Sequence, residues 1–287
     1  MPKAYEYRFR VGKIVIGLKH HDPGFVQTMV DYFMQPSDPA EPDVRLELFF
    51  FNQEDRPEVP NSLILTKSLT NDGFDIADGL IRGHFDPVSG HGELHVNDIL
   101  ISGLMTRVFE QILYQAFHSA CQRAGYDACL VHSSGVIHAE SGFLFVGPSE
   151  AGKSTVASLS QDRTVLNDEM NVVDFSGNTP QLISTGFNGH YRDKHMGEAP
   201  LTAVLLLHQG PTHALEPVSL GSAACTIAAQ IAPAVGLDQV ADQSTRQAML
   251  DTGTRLAEAV PSRRLVFLPD AGFWPLLEKA FISVNEG

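Results

Sequence analysis

Between Gly142 and Ser158 the chain reads GFLFVGPSEAGKSTVAS. An unbroken apolar run meets a glycine-bounded loop, and the loop meets a helix-compatible stretch. That order predicts a buried strand, a tight turn and a helix. Gly147, Gly152, Lys153 and Ser154 fit the pattern G-x-x-x-x-G-K-[ST]. The glycines let the backbone close around phosphate oxygens with its N–H groups turned inward. The following helix offers free N–H groups and a partial positive charge. Lys153 is placed to reach the β- and γ-phosphates of ATP, and the Ser154 hydroxyl to ligate Mg²⁺. A chance match in a chain of this length is about one in a hundred. The bland alternative is a glycine-rich turn that caps a helix. Pro148, Ser149, Glu150 and Ala151 fill the loop and Thr155 follows it. Glu150 brings a carboxylate into the loop, either pointing outward or weakening phosphate binding.

A Mg²⁺ site also needs an acid at a neighbouring strand end. TVLNDE supplies Asp168 and Glu169 after an apolar strand, and Asp168 lies 15 residues past Lys153. That separation fits a short helix, a turn and one strand. Transporter-type ATPases carry a similar loop but place their acid far downstream, after an LSGGQ-like signature that this sequence lacks. The bland alternative for the acidic pair is a polar strand end facing water.

The rest of the chain divides in two. Residues 1–104 read as a β-rich region, with Tyr5, Tyr7, Phe9 and Val11 alternating with charged residues. KIVIGLKH makes a hairpin with that strand. DPGFVQTMVDYFM reads as a short helix capped near Asp22, and DVRLELFFFN as a further strand. GFDIADG, LIRGHFD and GELHVND form a meander. In residues 105–287, Phe109, Ile112, Leu113, Ala116, Phe117, Ala120, Cys121 and Ala124 mark a helical face, with Glu110, Gln115, Ser119 and Gln122 opposite. SGVIHA and GFLFVG form a hairpin around Glu140–Ser141. PLTAVLLLHQG and RRLVFLP are buried strands, and residues 222–235, 240–259 and GFWPLLEKAFISV are helical.

A net charge of −14 argues against a nucleic-acid partner or a polybasic membrane patch. The three cysteines are scattered in apolar surroundings and read as buried thiols in a reducing compartment. With no signal-like start and no membrane-length apolar run, the expectation is a cytoplasmic protein.

Together, a His followed by small residues and GV, a hairpin, the G-x-S-x-x-GKS/T loop and an acidic pair resemble the HPr serine kinase-like family, whose fold is related to phosphoenolpyruvate carboxykinase. The residues are His132 to Val136, Gly147 to Thr155, Asp168 and Glu169. The resemblance covers roughly residues 105–285 well and the first hundred loosely. It implies an α/β fold: a P-loop C-terminal core beside a β-rich N-terminal α+β region. It implies ATP and Mg²⁺ as cofactors and a hydroxyl acceptor, a serine first among candidates, on a peptide, protein or small molecule. Asp168 matches the acid that takes the acceptor proton, Glu169 a Mg²⁺ ligand where the family often has Asp, and His132 a residue near the transferred phosphate. The family often assembles into homo-oligomers. The segment that carries a catalytic arginine in the bifunctional HPr enzymes has no counterpart here. Arg192 or Lys194 could replace it, or both could be solvated loop residues. A nucleotide-binding regulatory or assembly module without catalysis is the alternative function. His91/His95, His190/His195 and His208/His213 have metal-like spacing but lack an H-E-x-x-H or cysteine context.

Overall fold

The computed structural model describes residues 3–51, 74–76, 81–97, 106–187, 189–232 and 243–282. It is a mixed α/β structure with two sheets and six α-helices among the described residues. The chain forms two compact units. One holds Met1–Tyr126 with Pro233–Arg246, the other Asp127–Ala232 with Gln247–Gly287.

The first unit is built on a six-stranded sheet of order β1-β2-β3-β6-β5-β4. Strands β1 (Tyr5–Val11) and β2 (Ile14–His20) form the expected hairpin. A parallel step from β2 to β3 (Val44–Phe51) needs a crossover, and α1 (Phe25–Phe33) lies within it. Phe33 of α1 stacks on Phe9 with ring centroids 4.2 Å apart. Asp22 does not cap the helix directly. It accepts a hydrogen bond from the Gly24 N–H at 2.7 Å, and Gly24 is the N-cap residue. The meander is β4 (Phe74–Ile76), β5 (Ile81–Asp86) and β6 (His91–Asn97). Helix α2 (Thr106–Ala124) packs on β2 and β3 and belongs to this unit, whereas the sequence reading groups it with the second region. Its apolar face is buried as expected up to Cys121, while Ala124 at its end is exposed, and Glu110 and Gln115 are buried too. Glu110 accepts hydrogen bonds from the hydroxyls of Tyr32 (3.2 Å) and Tyr114 (3.0 Å), which meets the need of a buried carboxylate for donors.

The second unit has strands β7 (Ala128–His138), β8 (Ser141–Val146), β9 (Thr164–Asn167), β10 (Met170–Asp174), β11 (Gln181–Ile183), β12 (Glu198–Gln209), β13 (Ala214–Pro217) and β14 (Ser262–Phe267). β8, β12 and β14 run parallel. Alternate residues of β8 enter two different cores. Leu144 and Val146 pack with Val204, Leu206, Ile227 and Leu256. Phe143 and Phe145 pack with Val156, Leu205, Phe267 and Trp274. Ile227 lies on α4 (Leu220–Ala228) and Leu256 on α5 (Gln243–Ala259). Val156 lies on α3 (Lys153–Ser158) and Trp274 opens α6 (Trp274–Phe281). The central strands are therefore apolar on both sides, as expected of a parallel sheet covered by helices.

The β7–β8 turn is Ala139–Glu140, with φ of 47° and 62°, one residue earlier than the sequence suggests. β7 begins at Ala128, so His132 lies inside a strand rather than at its end. Cys121 and Cys129 are buried, and burial pushes the Cys129 thiol up to about 12. Cys225 is exposed, contrary to expectation, because it lies on the outer side of α4. No helix among the described residues is long and apolar enough to cross a membrane.

Candidate functional site

The loop Gly147–Gly152 joins the end of β8 to α3. The ends of the neighbouring parallel strands gather beside it. Gln209, the last residue of β12, donates its side-chain amide to the Glu150 carbonyl at 2.8 Å. Phe267, the last residue of β14, lies under Gly152, where a Cβ would stand 2.6 Å from its ring. Gly152 has φ of +108°, so a side chain there is excluded by both conformation and space. The carboxyl ends of parallel strands are where open α/β sheets place ligands.

The loop backbone alternates in hand. Glu150 has φ of +65° and Gly152 of +108°, while Ser149 and Ala151 are not among the positive-φ residues. Alternation of this kind turns successive N–H groups toward one concavity, the geometry of an anion nest. The Lys153 ammonium is buried and donates to the carbonyls of Gly147 (2.9 Å) and Pro148 (3.1 Å). The cation thus spans the mouth of the loop from its own first helical turn. Ser154 is half-buried in that turn, and Pro148, Ser149, Glu150 and Thr155 are exposed.

The acidic pair lies on the other side of β7. β9 and β10 both run antiparallel to β7, β9 along Gly135–Ile137 and β10 along Ala128–His132. Asp168 and Glu169 form the break between them. The break is held by side chains. Asn167 Oδ1 accepts from the Glu169 N–H at 2.8 Å, and Asn167 Nδ2 donates to the carbonyls of Thr185 and Phe187. Asn171 Nδ2 donates to the Ser133 carbonyl at 2.9 Å. Ser133 faces Val146 on β8 and donates its N–H to the Glu169 carbonyl at 3.1 Å. The loop entrance and the acidic pair therefore flank the same level of β7, about 10 Å apart across two strand spacings.

His132 and Glu169 come together, with Nε2 and Oε2 3.7 Å apart. Asp168 is 2% exposed. Its Oδ2 accepts from the N–H groups of His190 and Tyr191, both at 3.1 Å. Its Oδ1 is buried and has no hydrogen-bond partner among the described residues. A Cβ on Gly189 would collide with that oxygen, so only glycine lets the backbone pass so close. A buried carboxylate oxygen without a donor carries a large desolvation penalty. A hydroxyl proton or a cation would relieve it.

The two cations proposed to replace the missing arginine behave differently. Lys194 donates to the carbonyls of Gly186 and Phe187, each at 2.8 Å, and so ties its own loop together. Arg192 is exposed. No cluster of three or more metal-ligating His, Cys, Asp or Glu side chains occurs among the described residues. A hollow of about 410 Å³ lies elsewhere, in the first unit, lined by Lys19, Arg45, Glu47, His84, Asp86 and His91 among others. It shares no residue with the glycine loop.

Sequence reasoning misses Gly189, the two backbone donors after it, and Gln209. For Gln209 a signal exists, since it ends a strand predicted to be buried. For the donors to Asp168 there is none, because the contact spans 22 and 23 residues through an irregular segment.

No protein-family model matches the chain, and no curated protein does. Among solved structures it is similar to the Hpr(Ser) kinase/phosphatase from Coxiella burnetii, at 12% sequence identity and a TM-score of 0.30. The alignment covers 52% of this chain and 86% of that one. The likeness is weak. At that score it carries no weight for the site, which stands on its own residues.

Proposed function

We propose that this chain is an ATP- and Mg²⁺-dependent phosphotransferase of the HPr-kinase-like family. It moves the γ-phosphoryl group to a hydroxyl, a serine first among candidates, on a peptide, protein or small molecule. The observation that carries the reading is Asp168: a buried carboxylate with one oxygen pinned and the other without a partner among the described residues, level with the glycine loop across β7. Backbone N–H groups of the glycine loop and of the first turn of α3, with the Lys153 ammonium, hold the β- and γ-phosphates. Asp168 takes the proton of the acceptor hydroxyl as its oxygen bonds to the γ-phosphorus, the bond to the β,γ-bridging oxygen breaks, and ADP departs. His132, beside Glu169, lies near the transferred group. Ser154, Asp168 and Glu169 are the residues to hold Mg²⁺, which would neutralise phosphate charge. Most of the acceleration then comes from positioning and charge neutralisation.

One observation favours a second reading, a nucleotide-binding module without catalysis. Lys194 is committed to loop carbonyls, which removes one of the two cations that segment offers to phosphoryl transfer and leaves Arg192.

Calorimetric titration of Mg-ATP tests the first step. Wild type binds, and Lys153→Ala binds roughly 10- to 100-fold more weakly, the worth of a charge-assisted hydrogen bond. Equal affinity in both would remove the loop from nucleotide recognition. ADP release on addition of a hydroxyl acceptor separates the kinase from the binding module.

A further inference from the structure

Glu150 is a non-glycine residue in the left-handed region, at φ +65°, at the tip of the Gly147–Gly152 loop. Residues with a Cβ disfavour that conformation, and they keep it only when their surroundings hold it. Two contacts frame the tip. The Ala151 N–H donates to the Pro148 carbonyl at 3.2 Å. The Glu150 carbonyl accepts the Gln209 amide at 2.8 Å. The first is local to the loop and is retained in many turn types. The second comes from β12 and ties the tip to the sheet.

We propose that Gln209 is a positioning residue for the loop: its amide fixes the Glu150–Ala151 peptide and thereby the alternating backbone hand that turns the N–H groups inward. The left-handed angle at Glu150 is half of that alternation, and Gly152 supplies the other half. If the Glu150–Ala151 peptide rotates, the Ala151 N–H loses the Pro148 carbonyl and the Glu150 carbonyl oxygen can enter the concavity, where it repels an anion. The effect on phosphate affinity rests on the nucleotide-binding reading above. The effect on loop conformation does not.

The side chain of Gln209 is exposed, so its removal should spare the core. Two measurements on the full chain keep the claims separate. The first is amide hydrogen exchange across residues 147–155 without nucleotide. Gln209→Ala is expected to exchange several-fold faster there and unchanged in β8. Equal exchange overturns the pin whatever the protein binds. The second is Mg-ATP titration. Gln209→Ala is expected to bind about tenfold more weakly, and Glu150→Gly in that background to recover most of the loss, because glycine adopts the left-handed angle without a pin. A side chain of merely structural importance would not be rescued by glycine at the loop tip. Binding by Gln209→Ala within twofold of wild type overturns the inference and leaves the nucleotide reading standing. Slower exchange in wild type with no ATP binding by either protein supports the pin and sinks the nucleotide reading.

Discussion

The two sheets solve the problem of burial differently. In the first unit, β1 shows the alternation of a half-buried strand, with Tyr7, Phe9 and Val11 buried and Arg8 and Arg10 carrying ion pairs. In the second unit, residues 142–146 of β8 are all buried, and β10 is buried throughout. A strand with one wet face can carry polar side chains along its length. A strand covered on both faces cannot, so polar chemistry moves to its ends and breaks. That is where the glycine loop, Gln209 and the Asp168–Glu169 break are found. The few polar residues inside the second sheet, such as Ser133 and Asn167, are tied into hydrogen bonds that shape the break.

The largest effect is expected at the break itself. Asp168→Asn keeps the size of the side chain and its acceptor oxygen for the His190 and Tyr191 N–H groups, but loses the base. Transfer should fall about 10²- to 10⁴-fold, with Mg-ATP affinity changed by less than tenfold. Single-turnover assay of γ-phosphoryl transfer is the check. Retained transfer would exclude Asp168 as the base and make the break a structural feature.

Next comes the doubly covered core. Phe145 is fully buried and meets Phe273 and Trp274 edge-on, with centroids 6.2 and 5.9 Å away. Phe145→Ala should cost about 3–5 kcal/mol of stability, read by chemical denaturation. A loss below about 1 kcal/mol would mean that the face under α6 repacks freely, and the contrast between the sheets would weaken.

These two cases also show what a sequence can disclose. The strand, loop and helix around Lys153 are legible because all but Glu150 obey a local rule: apolar run, glycine, helix former. The period of α2 is equally plain in Phe109, Ile112 and Phe117. Glu110 defeats the same rule, since its burial depends on two tyrosine hydroxyls, one of them 78 residues away in sequence. His132, Ser133 and Ser134 form a polar run in the middle of β7, where Asn171 supplies the donor for Ser133 from the strand beside it. The acidic pair is readable as chemistry. Its pinning by the backbone after Gly189 is not, because backbone donors leave no mark in residue type.

The smallest effect is expected on the wet face of the first sheet. Arg10 donates Nε to Asp38 at 2.8 Å and an Nη to the other oxygen at 3.1 Å. The guanidinium side chain is 44% exposed and Asp38 16%. The Arg10 hydrogen bond, helped by the Ala40 N–H, holds the Asp38 carboxyl below its usual range. A depressed folded-state value means the pair stabilises the fold above the ordinary Asp value of about 3.9 and loses that contribution as pH falls through the lower folded value. Solvent screening limits the gain at neutral pH to about 0–1 kcal/mol. Arg10→Ala should therefore shift the urea midpoint slightly at pH 7 and progressively less as pH falls through the lowered Asp38 value, with the shift shrinking further in salt. A loss at pH 7 as large as that of Phe145→Ala would mean that the loop bearing Asp38 is held onto β1 chiefly by this pair. The first sheet would then depend on its charged edge as the second depends on its core.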